Sequence, residues 1–167
     1  MIVVLLVLGA LLLLANSVFV CGEFALVAAH SSRLQQLADE GDRLAALAIR
    51  HAQRLPKTLA ALQLGITAAS IGLGFTLEAA VEAILQPFVG HVPAAVTVAF
   101  DAVAAVLAIA IVSGLHTLLG EMVPKNLAIA APEASARWLS VPTSVTAWLA
   151  TPLVPLLWGT TRQLLSL

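Results

Sequence analysis

Apolar residues fill three long stretches of this sequence, and polar residues separate them. The stretches run over residues 3–27, 58–85 and 93–119. A helix needs about 20 apolar residues to cross the hydrocarbon core of a membrane, and each stretch is long enough. A polar segment, HSSRLQQLADEGDRLAALAIRHAQRLPK, joins the first two, and the short turn QPFVGHVP joins the last two. The pattern therefore predicts an all-α integral membrane protein with three transmembrane helices.

The polar segment carries a helical period in two halves, and over residues 31–55 we expect a juxtamembrane helical hairpin. Ser31 or Ser32 is the expected N-cap of the first helix, and Gly41 in the DEGD turn is its expected stop. The apolar stripes of the two helices are Leu34, Leu37 and Ala38, then Leu44, Leu47 and Ala48. Such a hairpin is expected to lie on the membrane surface.

The C-terminal segment 132–167 is apolar, but prolines interrupt it at Pro142, Pro152 and Pro155. Its tryptophans recur every ten residues, at Trp138, Trp148 and Trp158. Because tryptophan prefers the membrane interface, we expect broken C-terminal interfacial helices here. The alternative is a fourth span, which would place Arg162 on the outer side of the membrane, against the distribution of the other charges.

Basic residues lie on one side of the predicted spans only. The turn near Gly90 has none, and all eight follow the first or the third stretch: Arg33, Arg43, Arg50, Arg54, Lys57, Lys125, Arg137 and Arg162. The positive-inside rule therefore predicts a multi-pass protein of the cell (plasma) membrane with its N-terminus outside and its C-terminus cytoplasmic. No basic residue precedes the first stretch, so we expect a retained span rather than a cleaved signal peptide.

Composition excludes several other classes of protein. Hydrophobic residues make up 60% and charged residues 10% of the chain, and mean hydropathy is +1.02, whereas soluble domains carry about 25% charged residues. A single cysteine, Cys21, excludes an internal disulfide, and the four histidines show no zinc-ligand spacing. No aromatic stacking set accompanies the basic residues, and no nucleophile or metal-hydrolase motif occurs. We therefore expect neither a nucleic-acid-binding protein nor an enzyme.

Polar residues occupy one face in each span, mostly in the inner half of the membrane. The faces are Asn16, Val20 and Glu23 in the first span, Gln63, Thr67, Ser70 and Gly74 in the second, and Gly114, Thr117 and Glu121 in the third. Carboxylate, amide and hydroxyl oxygens are ligands of hard cations, so a cation site is predicted where these faces meet. The alternatives are hydrogen bonds between helices and pairing of the two acids with basic residues at the interface.

Two further features of the spans have structural meaning. Small residues at Gly65, Ala69 and Gly72 form a second face of the middle span, which suits close helix packing. In GEMVPKN, Pro124 cannot continue a regular helix and frees a backbone carbonyl near Gly120. Freed carbonyls bind ions where they line a cavity. Lys125 is expected to anchor the end of the third span at the cytoplasmic surface.

Three segments of the chain together resemble a known family: CGEFALVAAHSSRLQQLADEGDRLAALAI, LQLGITAASIGLG and GEMVPKNLAI. In this order they are similar to the DUF21 transmembrane domain of the CNNM/CorC family of magnesium transporters, over nearly the whole chain. The resemblance implies three transmembrane helices, a homodimer, and export of Mg²⁺ with Na⁺ as the coupling ion. It also implies a cytosolic CBS-pair domain in the full-length protein, which residues 1–167 do not include.

The resemblance assigns candidate metal ligands motif by motif. The family's Gly-Glu-x-x-Pro-Lys motif matches Gly120, Glu121, Pro124 and Lys125, which makes Glu121 the leading ligand and Gly120 a second one. Pro124 and Lys125 are then structural positions of the motif.

The motifs of the first two spans are only partly kept. Where the family has Ser-x-Ser-Glu, this chain keeps Glu23 and has Gly22 at the second serine. Where it has Gly-Asn-Asn, the asparagines are absent, and Gln63 and Thr67 are the substitute donors. The main prediction is membrane transport or efflux of Mg²⁺ or another divalent cation through an inward-facing acidic cavity. The alternative is a non-transporting dimeric membrane anchor or sensor for cytosolic CBS-type domains.

Overall fold

The computed structural model describes residues 1–89, 103, 105–106 and 109–153, and no strand occurs among them. Residues 109–115 are already helical and lead directly into a π-helix, His116–Met122. Within the described residues the other helices are α1 (Ile2–Ala28), α2 (Ser31–Asp39), α3 (Arg43–Gln53), α4 (Leu55–Val89), α5 (Val123–Ala130), α6 (Pro132–Trp138) and α7 (Ser140–Ala150). The all-α prediction agrees with this order of elements.

Helices α1 and α4 contain the first two predicted spans. Within the described residues, two segments are long and apolar enough to cross a membrane, Ile2–Ala28 and Leu55–Val81. Residues 103, 105–106 and 109–119 of the predicted third span are helical, whereas its residues 93–102, 104 and 107–108 lie outside the described residues. Helix α4 continues to Val89, four residues into the predicted turn 86–93, and the rest of that turn lies outside the described residues. The fold therefore agrees with two of the three predicted spans, and the membrane crossing by the third stays a prediction.

Small residues of α4 allow it to pack closely against α1. A Cβ atom on Gly65 would lie 2.9 Å from the Phe19 ring, and one on Gly72 would lie 3.2 Å from Leu12. Ala69 is buried between them. The predicted packing face is therefore confirmed. Because residue numbers rise along α1 while those of its contacts fall along α4, the two helices are antiparallel.

The helix that passes through GEMVPKN does not end where the sequence predicted. We expected the span to end near residue 119, but the helix continues through Pro124 to Ala130. The π-helix makes this continuation possible, because its wider turn takes up the proline whose missing N–H would interrupt a regular ladder. Pro124 and Ala128 are buried, and α5 packs against α1.

The predicted hairpin is present as α2 and α3. Gly41, with a φ of 97°, lies in the turn after α2, and Asp42 caps α3 by accepting from the N–H groups of Leu44 and Ala45. The predicted cap at Ser31 or Ser32 is wrong. The chain is still extended at His30, which is the N-cap without a side-chain bond, so both serines already lie inside the first turn.

The C-terminal segment forms two short helices separated at Leu139. Pro142 lies in the first turn of α7, where its missing N–H costs no hydrogen bond, so it does not break the helix as we had expected. Trp138 and Trp148 are exposed, which agrees with the expected interfacial helices. Residues 154–167, with Pro155, Trp158 and Arg162, lie outside the described residues, so the fourth-span alternative is untested.

A cluster of small and branched apolar side chains joins the C-terminal end of α1 to the surrounding short helices. Its buried members are Cys21, Ala25, Leu26, Leu34, Ala48, Leu62, Ala128 and Ala136. Side chains at the surface of the same helices also contact one another. Arg137 pairs with Asp42, and the His30 ring lies 3.0 Å from the Glu133 carboxylate. We call α2, α3 and α6 the juxtamembrane layer.

Candidate cation site

Two of the predicted ligands meet across α1 and α4. The Gln63 side-chain amide donates to the Glu23 carboxylate at 3.3 Å, with Glu23 half-buried and Gln63 exposed. The Thr67 hydroxyl donates to the Gln63 backbone carbonyl at 2.9 Å, so its oxygen lone pairs remain available. These three residues place a carboxylate, an amide carbonyl and a hydroxyl on one exposed surface, which are the donor types that hard cations take.

Gly120 lies at the closest approach between the π-helix and α1. A Cβ atom here would lie 2.8 Å from His116 and 3.1 Å from the Asn16 amide nitrogen, so only glycine allows this distance between the helices. The Asn16 amide donates to the Gly120 carbonyl at 3.0 Å. The carbonyl that the sequence predicted to be freed for an ion therefore already has one partner, and one lone pair remains.

Glu121 directly follows Gly120, and its side chain is exposed at the surface of the protein. Within the described part of the protein, no hydrogen bond or ion pair joins its carboxylate to another side chain. The predicted face of Gly114, Thr117 and Glu121 is exposed throughout. The face that packs against α1 consists of Gly120, Pro124 and Ala128 instead, because the π-turn changes the helical register between residues 114 and 121.

Lys125 and Gly22 lie at the edges of this region. The Lys125 ammonium sits 4.5 Å from the centre of the Phe24 ring on α1, which ties the end of the helix to α1. Gly22 is buried, and a Cβ atom on it would meet the Thr143 hydroxyl at 3.3 Å. Gly22 therefore mediates packing against α7, and its predicted place among the ligands gains no support from its contacts.

A polar network behind the site joins two residues of the predicted polar faces, Asn16 and Ser70, to His116. Asn16 is fully buried, the Ser70 hydroxyl donates to its side-chain oxygen at 3.2 Å, and His116 Nε2 lies 3.5 Å from Ser70 Oγ. The signal was present in the sequence, because Asn16 interrupts an apolar run. Its partner Gly120 is 104 residues away, so no local pattern identifies the pair.

The described residues do not form a ready-made cage for a metal ion. No three side chains of His, Cys, Asp or Glu come together within residues 1–89 and the described part of 103–153. Any cation bound here would combine a single carboxylate or a pair of them with neutral oxygens and water. Such a donor set suits a hard ion that keeps part of its hydration shell.

Nearly the whole chain is similar in sequence to one family of known proteins. Residues 7–167 match the family model described as the Cyclin M transmembrane N-terminal domain. An uncharacterized protein of Mycobacterium tuberculosis is 46% identical over 151 residues, which cover 89% of this chain and 42% of that protein. UPF0053 protein YhdP of Bacillus subtilis is 37% identical over 82% of this chain, and UPF0053 protein sll0260 of Synechocystis is 34% identical over 93%. The alignments span 31% of the Bacillus protein and 35% of the Synechocystis protein, so the chain matches less than half of each relative.

Proposed function

The chain belongs to the CNNM (DUF21) family of membrane proteins, together with the UPF0053 proteins, and on this premise we propose that it moves a hard divalent cation across the membrane. The cation we propose is Mg²⁺, exported from the cytoplasm in exchange for Na⁺. The protein would work as a homodimer in the plasma membrane, with its N-terminus outside and its C-terminus cytoplasmic.

A lone carboxylate in an apolar setting carries this proposal. Glu121 is the one charged residue between residues 109 and 124. The residues around it are apolar and exposed, at Leu115, Leu118, Leu119, Met122 and Val123. A carboxylate that faced lipid here would cost several kcal/mol, roughly 2.5–3.5 by insertion scales. Glu121 is therefore expected to face a hydrated cavity or a second copy of the chain, and to bind a cation there.

The contacts along α1 place the two acids in the same part of that helix. Asn16 meets Gly120, and Phe24 meets Lys125, so Glu121 lies between these two levels of α1. Glu121 is nearer to the level of Asn16, and Glu23 is the neighbour of Phe24. We expect this part of α1 to lie toward the cytoplasmic end of the helices.

Helix directions support the three-span topology that export requires. Helix α4 runs antiparallel to α1, whereas the helix through Gly120 and Lys125 runs parallel to it. A chain that leaves α4 and returns in the direction of α1 crosses the membrane three times.

The residues of this chain have distinct parts in the proposed transport. Glu121 and Glu23 supply the charge that attracts the ion, and Gln63 and Thr67 supply neutral oxygens. Mg²⁺ loses its water reluctantly, so a site with few protein ligands and retained water suits an ion that must also leave. Release to the outside requires the helices to move against one another, with Na⁺ binding in the return step.

Flux through reconstituted protein tests the proposal. Purified protein in liposomes with a Mg²⁺-sensitive dye is expected to pass Mg²⁺ under an opposing Na⁺ gradient, and Glu121→Gln is expected to reduce the flux to that of empty liposomes. Glu40→Gln is the matched control, because Glu40 is exposed in the turn after α2 and bonds only with Gln36 in the described region. Wild-type flux in Glu121→Gln would show that the cation site lies elsewhere.

A second function is favoured by the contacts of two predicted ligands. The Gly120 carbonyl is bonded to Asn16, and Gly22 packs against Thr143, so neither is presented to an ion as the resemblance implies. A dimeric membrane anchor or sensor for cytosolic CBS-type domains would need no ion path. A stable wild-type dimer that carries no flux under any Na⁺ gradient would favour this function over transport.

A further inference from the structure

The π-helix leaves the carbonyls of Leu119 and Gly120 without their usual donors from the same helix. The Val123 N–H donates to the Leu118 carbonyl, five residues back. The Val123 N–H is therefore unavailable to the Leu119 carbonyl. The next residue, Pro124, has no N–H that could donate to the carbonyl of Leu119 or of Gly120. An unpaired carbonyl inside a membrane costs several kcal/mol, so these groups require donors from elsewhere.

Two consecutive residues of α1 supply those donors. The Ser17 hydroxyl lies 2.9 Å from the Leu119 carbonyl and the Asn16 amide lies 3.0 Å from the Gly120 carbonyl. Ser17 also lies 2.8 Å from the carbonyl of Leu13 on its own helix, so its single proton is shared. Asn16 makes the better-defined contact, because its amide has two protons and is fully buried.

A second group of contacts fixes the orientation of the Asn16 amide. The Ser70 hydroxyl donates to its oxygen at 3.2 Å, which points the nitrogen of the same amide at Gly120. His116 Nε2 lies 3.5 Å from the same hydroxyl. Residues of α1, α4 and the π-helix therefore meet at one amide, which is satisfied on both its oxygen and its nitrogen.

We propose that Asn16, assisted by Ser17, is a positioning residue that holds the π-turn open and so sets the direction of Glu121. If these donors were absent, the turn would lose the bonds that stabilise its released carbonyls, and the helix would relax toward regular α geometry. The register change would rotate Glu121 about the helix axis relative to α1. The part of this inference that concerns the cation rests on the proposed function, whereas the clamp on the backbone does not.

A double-mutant cycle tests the clamp in the purified protein. Asn16→Leu removes the donor at similar size, and we expect the midpoint of thermal unfolding to fall by roughly 5 °C. Pro124→Ala restores a backbone N–H that can donate to Gly120, so it should recover much of that loss in the Asn16→Leu background. Additive effects of the two substitutions would overturn the clamp.

Ser140→Ala is the matched control for the cycle. Ser140 is also buried and donates to a backbone carbonyl, that of Arg137 at 2.6 Å, but it lies on α7 and has no contact with the π-turn in the described structure. Its effect should add to that of Pro124→Ala without coupling. An equal, non-zero coupling for Ser140 and Asn16 would show that the coupling is not specific to the π-turn, and would overturn the inference.

Titration with Mg²⁺ separates positioning from stability. The Asn16→Leu, Pro124→Ala protein should unfold near the wild-type temperature, yet need about 10–100-fold more Mg²⁺ for half of its thermal shift. An unchanged Mg²⁺ midpoint would overturn the positioning role. A wild-type protein with no Mg²⁺-dependent shift would overturn the proposed function and with it the positioning of a ligand, and the cycle would still decide the clamp.

Discussion

Two regions of the molecule are held together by polar groups of different kinds. One is the contact between α1 and the π-helix, and the other is the juxtamembrane layer. At the π-helix the groups are neutral: an amide and two hydroxyls that bond to each other and to backbone carbonyls. In the juxtamembrane layer they include charged groups: Arg137 forms an ion pair with Asp42, and the His30 ring lies 3.0 Å from the Glu133 carboxylate. Asn16 is fully buried, whereas the side chain of His30 is 80% exposed.

The difference follows from the surroundings of each region. An exposed ion pair stabilises a folded protein by only about 0–1 kcal/mol, because both charged groups are already hydrated when they are apart. Charged groups are therefore tolerated in the juxtamembrane layer but add little to its stability. A backbone carbonyl without a hydrogen-bond partner in the membrane costs several kcal/mol. A neutral donor that bonds to such a carbonyl therefore contributes more to the free energy of unfolding than an exposed ion pair does. We therefore expect the larger effects from changes at the π-helix.

The largest effect is expected from Gly120→Ala. The added methyl group would meet His116, Asn16 and Leu13 at 2.8–3.2 Å and push the π-helix away from α1. We expect a loss of about 1–3 kcal/mol in the free energy of unfolding, measured by denaturation in detergent. Gly114→Ala is the control, because within the described part of the chain no atom outside the adjoining helix backbone lies within 4 Å of its Cβ position. This substitution should be neutral or slightly stabilising. Equal effects would contradict the close approach at Gly120.

A smaller effect is expected from Asp42→Ala in the juxtamembrane layer. The change removes the cap of α3 and the partner of Arg137 together. Asp39→Ala is the control, because Asp39 is exposed and accepts only from Gln35 among the described residues. The unfolding midpoint should fall in Asp42→Ala by less than in Gly120→Ala and stay unchanged in Asp39→Ala. A loss in Asp42→Ala as large as that in Gly120→Ala would reverse the comparison.

The same aspartate gives the layer an acid limit. Its bond with the Ala45 N–H, together with the nearby Arg137, holds the pKa of the Asp42 carboxyl below its ordinary value. Because the folded pKa is the lower one, this stabilisation is complete above the unfolded value of about 3.9 and is lost as the pH falls through the folded one.

The smallest effect is expected from the titration of His51 in α3. Burial lowers the pKa of this imidazole, whose Nε2 lies 2.7 Å from the Ser144 hydroxyl on α7. The folded state therefore favours the neutral ring. The contribution of the buried neutral ring to the free energy of unfolding is complete above a pH of about 6.5 and decreases as the pH falls. The unfolding midpoint of wild type should drop more between pH 7.5 and 5.5 than that of His51→Gln. Parallel pH profiles would show that His51 does not titrate in this way.

The features that sequence predicts well here are those encoded within a few neighbouring residues. Gly41 and Asp42 mark the hairpin turn, and the glycine and alanine spacing of the second span marks its packing against α1, and both agree with the structure. Charge placement predicts which ends of the helices face the cytoplasm, and this sidedness stays a prediction.

The features that sequence reasoning missed depend on distant partners. A π-turn cannot be recognised from seven residues of sequence, so the packing of Gly120, Pro124 and Ala128 against α1 was not predicted. The ligand face of Gly114, Thr117 and Glu121 stays a prediction. The bond from Asn16 to Gly120 joins residues 104 apart. Of the predicted ligands, Glu23 and Gln63 meet as the pattern implied, whereas the Gly120 carbonyl is already bonded within the protein.

The π-turn has a consequence for how the protein is made. Two carbonyls of the helix through Gly120 accept from donors on α1, so we expect this helix to insert poorly into lipid by itself. Translation produces α1 first, so Asn16 and Ser17 are synthesised before the π-turn. We therefore expect α1 to act as the insertion partner of the helix through Gly120, and a chain stalled before Gly120 to hold an Asn16 amide nitrogen that lacks this acceptor.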